Sequence, residues 1–228
     1  MSEGTRFVPV DARELGELRR EYAAGGLDES DLEPDPVSMF RRWMHDAVIA
    51  GLHEPNAFVL STVGAEGRPS SRIVLLKGLD DRGFVFFTNY ASRKGQELVA
   101  NPHCALLFPW HQLERQVRVE GAASRLSDEE NDAYFASRPR SSQVGAWASP
   151  QSEVVPGRPE LDARYEKVMT RFGEGDVPRP EHWGGFCVTP ERVEFWQGRL
   201  GRMHDRLRYS RAATDSTVST WTTERLAP

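Results

Sequence analysis

From residue 57 onward, apolar and polar side chains alternate with period two, the spacing of strands with one buried face. The pattern predicts strands over 57–63, 70–77 and 83–88, joined by the turn Gly64, Ala65, Glu66, Gly67, Arg68, Pro69 and by residues 78–82, as a three-stranded meander. A second strand pair is predicted over 104–110 and 114–125, the latter alternating Val117, Val119 and Gly121, and final strands over 185–189, 192–197, 206–211 and 218–225. Helical spacing interrupts this rhythm. Asp35 before Pro36 reads as an N-cap and a first helical residue, and Val37, Phe40, Met44, Ala47 and Val48 make an apolar stripe running to about Gly51. Residues 92–100 read as a short helix stopped by Asn101 and Pro102. Ser127, Asp128, Glu129 and Glu130 form a capping box for a helix that ends before Arg138 and Pro139. A further helix is expected at about 160–172, and a charged helical segment over 11–23, ending at Gly25 and Gly26. Residues 141–158, rich in Ser, Gly and Pro, read as a long loop. Six or more antiparallel strands with helices at the periphery imply a mainly β, α+β chain closed into a barrel or split barrel.

The chain has 228 residues, enough for one large domain; residues 1–30 are expected to be a mobile N-terminal segment and 31–228 a single domain. No apolar run approaches the roughly 20 residues of a membrane span, and Met1, Ser2, Glu3 and Gly4 lack the features of a secretory signal, so a soluble, cytoplasmic protein is expected. Cys104 and Cys187 lie far apart in apolar, strand-like contexts and read as buried free thiols, with no metal site implied. The net charge of −5 argues against a general nucleic-acid surface.

Local charge changes that picture. Arg72, Lys77, Arg93, Lys94, Arg138, Arg140, Arg202 and Arg206 all sit near element boundaries, where cations can be aimed into a cleft at a small anionic ligand; solvated ion pairs are the plainer alternative. Arg72 and Lys77 flank the apolar Ile73, Val74, Leu75 and Leu76, and five residues apart they would point to opposite faces of a regular strand and could serve two anions. From Thr88 to Lys94 a strand ends in a hydroxyl and a helix opens with Ser92, Arg93 and Lys94, a place where free N–H groups and the helix dipole favour a phosphate. Without a glycine-rich loop, a mononucleotide fits better than a triphosphate. Tyr134, Arg138 and Ser142 recur every four residues and offer a cation and two hydroxyls to a second phosphate, with Pro139 placing Ser142 in the following loop. Arg202, His204, Asp205 and Arg206 follow a strand carrying Phe195 and Trp196, a composition suited to an anionic planar ligand, or else a charged turn.

Motifs in a fixed order sharpen this. The segment from Arg72 to Lys77, Phe87-Thr88-Asn89 with Ser92-Arg93-Lys94, Leu107-Phe108-Pro109-Trp110, Glu114-Arg115-Gln116-Val117, Ser137-Arg138-Pro139-Arg140 with Ser142-Gln143, Gly145-Ala146-Trp147, Trp183-Gly184-Gly185-Phe186, Phe195-Trp196-Gln197-Gly198, Arg202-Met203-His204-Asp205-Arg206 and the terminal Arg225-Leu226-Ala227-Pro228 resemble the pyridoxine/pyridoxamine 5′-phosphate oxidase family, from about Arg19 to the end of the chain. The resemblance implies an FMN-binding split barrel acting as a homodimer, with two flavin sites at the subunit interface and residues from about 183 to 228 in dimerisation. By position, Arg72, Ile73, Val74, Leu75, Leu76, Lys77, Phe87, Thr88, Arg93, Lys94, Gln116, Gln151, Ser152, Trp196 and Arg206 match the family's FMN contacts. Lys77, Tyr134, Arg138 and Ser142 match the substrate-phosphate positions, Arg202 and His204 those at the substrate's pyridine ring, assigned as catalytic, and Arg19 and Tyr22 a pair that closes over the substrate. Phe87 stands where relatives can carry Tyr, so a contact there would come from the backbone. The implied reaction oxidises pyridoxamine or pyridoxine 5′-phosphate to pyridoxal 5′-phosphate, with electrons passing through FMN to dioxygen and hydrogen peroxide formed. Two other readings stand beside it: a flavin- or deazaflavin-dependent reductase of the same fold, against which the phosphate set and residues 202–206 weigh, and a non-catalytic pyridoxal phosphate-binding protein, which turnover would exclude.

Overall fold

The Asp35 carboxylate accepts hydrogen bonds from the Val37 and Ser38 N–H groups at 2.8 and 2.9 Å and so starts helix α1, Pro36–Ile49. This is seen in a computed structural model that describes residues 21–22, 25–211 and 221–228. Met39, Phe40, Trp43 and Ala47 bury one face of α1 against a nine-stranded sheet. Its strands are β1 (Ala57–Val63), β2 (Pro69–Leu75), β3 (Gly78–Asp80), β4 (Gly83–Asn89), β5 (His103–Trp110), β6 (Arg115–Arg125), β7 (Trp183–Gln197), β8 (Asp205–Arg211) and β9 (Trp221–Arg225). The order is β2-β1-β5-β6-β7-β4-β3, with β8 on β7 and β9 on β8, every pair antiparallel.

The fifteen-residue β7 makes the sheet curl. Its first half pairs with β4, its second half with β8, and β6 follows it throughout, so the strands diverge into a split barrel. The β6–β7 register shifts between Glu120 and Gly121, a bulge that re-aims the strand. Gly121 fits this close approach because a β-carbon there would lie 2.1 Å from the Thr189 carbonyl oxygen. Period-two alternation sends Phe58 and Leu60, Leu106 and Phe108, Val117 and Val119, and Val193 and Phe195 to one interior. Phe40 packs edge-on against Phe84 and Phe108 there, at 5.0 and 4.8 Å between ring centroids.

Helices α2 (Arg93–Ala100), α3 (Asp128–Ser137), α4 (Arg140–Ala148) and α5 (Arg158–Phe172) lie outside the sheet order. Ser127 and Glu130 form the expected capping box of α3. A second apolar cluster joins Phe135 of α3 and Val144 of α4 to Val177 and Trp183.

Four expectations change. The first three strands are no meander: β1 pairs with β2, but β4 pairs with β3 and with β7 about a hundred residues away, Phe86 facing Phe186. Residues 140–148 are helical rather than loop, because Val144 and Ala148 bury on the second cluster and α5. The strands expected at 185–189 and 192–197 are one strand, continuous through Pro190 at the bulge. Arg72 and Lys77 do not lie on one regular strand, since β2 ends at Leu75 and the Lys77 N–H donates to Val85. Cys104 and Cys187 are free and buried, and among the described residues no helix is long and apolar enough to cross a membrane. Arg19 and the segment 11–20 lie outside the described residues.

Candidate functional site

Ser92 opens α2 with its hydroxyl accepting from the Gly95 N–H, and Gly95 lets the first turn close on Tyr90, whose carbonyl oxygen would stand 2.3 Å from a β-carbon. That turn presents Arg93 and Lys94 to a cavity of about 970 Å³, near the upper end of the range for ligand pockets. Lys94 is buried, and its ammonium donates to three neutral oxygens: Gln151 Oε1 at 2.9 Å, Thr88 Oγ1 at 3.0 Å and Ser92 Oγ at 3.3 Å. Burial, reinforced by the Arg72 charge, lowers its pKa to about 8. Among the described residues no carboxylate lines this cavity.

Arg72 on β2 is held from behind. Its Nη1 donates to Leu60 O at 3.1 Å and Thr62 Oγ1 at 2.6 Å, and its Nη2 to Ser70 Oγ and to Glu97 Oε2 at 3.2 Å. Across the cavity, Arg138 at the end of α3 lies 4.5 Å over the Trp183 ring, and its Nη1 is a buried donor without a partner. Burial lowers its pKa, and no described carboxylate pairs with it. Phe87, Tyr134 and Trp183 are nearly parallel, with Phe87 3.8 Å from Tyr134 and 5.3 Å from Trp183 between ring centroids. Phe87 thus joins the cavity wall as part of an aromatic stack. Ser142, on α4 rather than in a loop, completes this side with Lys77.

Of the residues singled out in the sequence, Arg72, Ile73, Val74, Leu75, Lys77, Phe87, Thr88, Arg93, Lys94, Tyr134, Arg138, Ser142, Gln151 and Ser152 line this one cavity. Leu76 does not; its N–H donates to Asn56 O and its side chain packs on the core. Ser70, Ser137 and Trp183 also line it; Ser137 and Trp183 stood in the motifs of the resemblance without a site role, and Ser70 had none either. Trp183 had a signal in its apolar context, but nothing local tied it to Arg138.

A second group lies at the far end of β7. Gln116 faces Trp196 in the β6–β7 register, and Trp196 faces Arg206 in β7–β8. Trp196 and His204 rings lie 4.6 Å apart, and Tyr22 packs edge-on against both at 5.7 and 5.4 Å. The Arg199 N–H donates to His204 Nδ1 at 3.1 Å, so the neutral ring carries its proton on Nε2. Arg202 is exposed, with a left-handed backbone at φ 62°. Trp183 and Trp196 are thirteen residues apart on β7, about 40 Å of extended strand, so one chain holds the two groups apart.

A family model described as pyridoxamine 5′-phosphate oxidase matches residues 44–172, and one described as the pyridoxine 5′-phosphate oxidase C-terminal dimerisation region matches residues 183–228. The chain belongs to the pyridoxine/pyridoxamine 5′-phosphate oxidase family. It is an oxidoreductase. Family members of that name from a Nocardioides species and from Rubrobacter xylanophilus are 62% and 56% identical to it, over 94% and 100% of this chain and 98% and 100% of theirs. Among solved structures, PhzG from Burkholderia lata 383, crystallised with tetrahydrophenazine-1-carboxylic acid, superimposes with a TM-score of 0.83 at 31% identity, covering 90% of this chain and 99% of that one. An FMN-binding protein related to the family, from Nostoc punctiforme, shares the fold at a TM-score of 0.68 and 16% identity, covering 86% of this chain and all of its own.

Proposed function

We propose that this enzyme binds FMN and converts pyridoxamine 5′-phosphate, dioxygen and water to pyridoxal 5′-phosphate, ammonia and hydrogen peroxide, or pyridoxine 5′-phosphate and dioxygen to pyridoxal 5′-phosphate and hydrogen peroxide. The observation that carries this reading is a cavity to which the described residues contribute five cations, Arg72, Lys77, Arg93, Lys94 and Arg138, and no carboxylate. Lys94, which meets no carboxylate among the described residues, and the orphaned Arg138 Nη1 fit two phosphates, one at each side. The 56–62% identity to oxidases of this name supports the same substrates.

Bound FMN would supply the hydride acceptor and the route to dioxygen. Lys94, Arg93 and the first turn of α2 would hold its phosphate. Arg138, Lys77, Tyr134 and Ser142 would hold the substrate phosphate, with the Trp183 face fixing the Arg138 guanidinium. Arg202 would lay a flat cation over the pyridine ring, and His204 would donate from Nε2 to a ring substituent. Because Trp196, His204 and Arg206 lie far along β7 from Arg138, the reading requires a homodimer in which a second copy brings its far end to this cavity; the match to a dimerisation region supports that. Residues 31–228 would then act as one unit. Free, buried Cys104 and Cys187 suit a reducing, cytoplasmic setting.

The test is anaerobic addition of pyridoxamine 5′-phosphate to the purified yellow protein. Bleaching of the flavin, with recovery and hydrogen peroxide release on admission of air, is expected. A flavin that stays oxidised would refute the reading and leave a binding protein.

A further inference from the structure

Glu97, on α2, is a carboxylate that neither composition nor motif singled out. It is 8% exposed and does not line the cavity, yet it is the carboxylate within ion-pair distance of the cavity's cations among the described residues. Its Oε2 accepts from Thr62 Oγ1 at 2.5 Å, Ser70 Oγ at 2.6 Å and Arg72 Nη2 at 3.2 Å. Its Oε1 accepts from Arg93 Nε at 2.8 Å, across one helical turn.

We propose that Glu97 is a positioning residue for phosphate binding, holding Arg93 by its Nε so that the two terminal nitrogens remain free to take a phosphate end-on, and fixing Arg72 behind them. This rests on the reading that the cavity takes FMN. An arginine offers two edges for paired hydrogen bonds, and a carboxylate that occupies the inner edge leaves the outer one oriented at no further loss of rotamer freedom. The Arg93 side chain is 62% exposed, so without that anchor its long stem would be mobile. The carboxylate also repels an incoming phosphate, which sets a sign that experiment can read. Four donors already surround Glu97, and it stands behind both arginines rather than at the cavity wall, so orientation outweighs repulsion. Burial alone would raise its pKa, but the Ser70 and Thr62 hydroxyls and Arg93 bring it to about 2, so it is fully charged at neutral pH.

The experiment is titration of flavin-free protein with FMN and with riboflavin, which lacks the phosphate, followed by flavin fluorescence. Glu97→Ala should weaken FMN about 10-fold, the lower edge of a charged hydrogen bond's contribution, and leave riboflavin within about twofold. In an Arg93→Ala background the same change should weaken FMN by clearly less than about 10-fold, because the part of its effect that runs through Arg93 is gone and only the part through Arg72 remains. Glu97→Gln, which keeps the volume, should lose FMN affinity in the same direction while it retains the melting temperature. FMN binding that is unchanged or tighter in Glu97→Ala, an additive loss in the Arg93→Ala background, or an equal loss for riboflavin would each overturn the proposal. Wild-type protein that binds riboflavin as tightly as FMN would instead overturn the cavity reading itself, and the proposal with it.

Discussion

Arg138→Ala separates binding from stability more cleanly than any other change in the cavity. In the free protein the side chain gains about 0.5–2 kcal/mol from stacking over Trp183. Against that stands a buried Nη1 donor without a partner, a penalty of about 1–3 kcal/mol. The two nearly cancel, so the flavin-free variant should keep its stability within about 1 kcal/mol, a shift of about 4 °C or less in Tm for a chain of this size. Substrate capture should behave differently. A hydrogen bond between guanidinium and phosphate contributes about 1.5–3 kcal/mol, which is roughly 10- to 100-fold in KM for pyridoxamine 5′-phosphate. The assay is steady-state peroxide release with that substrate and with unphosphorylated pyridoxamine, alongside a thermal melt and flavin absorbance per subunit. The phosphorylated substrate should lose its advantage while the flavin content holds. A KM within about twofold of wild type would remove Arg138 from the phosphate site, and a Tm drop beyond about 8 °C would show that its role is structural.

Three further outcomes follow from the same geometry. Because burial lowers the Lys94 pKa from 10.5 to about 8, the native chain binds fewer protons there than the unfolded chain between those values. Stability of the flavin-free protein should therefore rise with pH through that window, the penalty being fully present below about 8; FMN binding at pH 8 should take up about half a proton, read by calorimetry in two buffers of different ionisation enthalpy, and zero uptake would contradict it. Arg202→Leu should retain fold and flavin but slow anaerobic flavin reduction by pyridoxamine 5′-phosphate about 100-fold, as misorientation alone can, and a stopped-flow rate within about twofold of wild type would return residues 202–206 to a charged turn. Asn131→Ala should lower Tm by about 3–10 °C, since it strands the buried Gly185 N–H that Asn131 Oδ1 receives at 2.7 Å, and an unchanged melt would mean that water replaces it.

What the sequence disclosed was chiefly local. Asp35 before Pro36, and Ser127 three residues before Glu130, mark helix starts because caps are short-range hydrogen bonds. The partner of β4 was not legible, since a period-two pattern names a buried face and says nothing of which strand lies alongside; β4 meets β7 only after two strands and four α-helices intervene. Ser141, Ser142 and Gly145 are weak helix formers, and burial of Val144 and Ala148 overrides them in α4. The cationic half of the cavity was legible because its Arg and Lys residues stand in motifs whose order and spacing resemble the family's; their charge alone reads as solvated ion pairs. Its aromatic half was less so, since Trp183 reads as core, which it also is; and Glu97, behind the cavity, reads as an ordinary i,i+4 partner of Arg93.

Arg206 in the second group and Lys94 and Arg138 in the cavity differ in how their donors are engaged, and that difference separates framework from grip. Arg206 has all three nitrogens engaged, Nε and Nη2 with the buried Glu194 carboxylate at 2.9 and 3.2 Å and Nη1 with Ala227 O at 2.8 Å, while Arg118 Nη2 reaches the same carboxylate at 2.6 Å. A ligand meeting Arg206 meets a cation already balanced, fixed in place and strengthening the β7–β8 register as much as any anion. Lys94, buried, and Arg138, half-buried with Nη1 fully so, are the reverse: among the described residues their partners are neutral oxygens or a ring face. A carboxylate beside either would stabilise the free fold, and an incoming phosphate would then have to displace it and gain little. Leaving these two without counter-ions places the cost of charge burial on the free protein, where the large apolar interior offsets it, and returns it as affinity for a dianion.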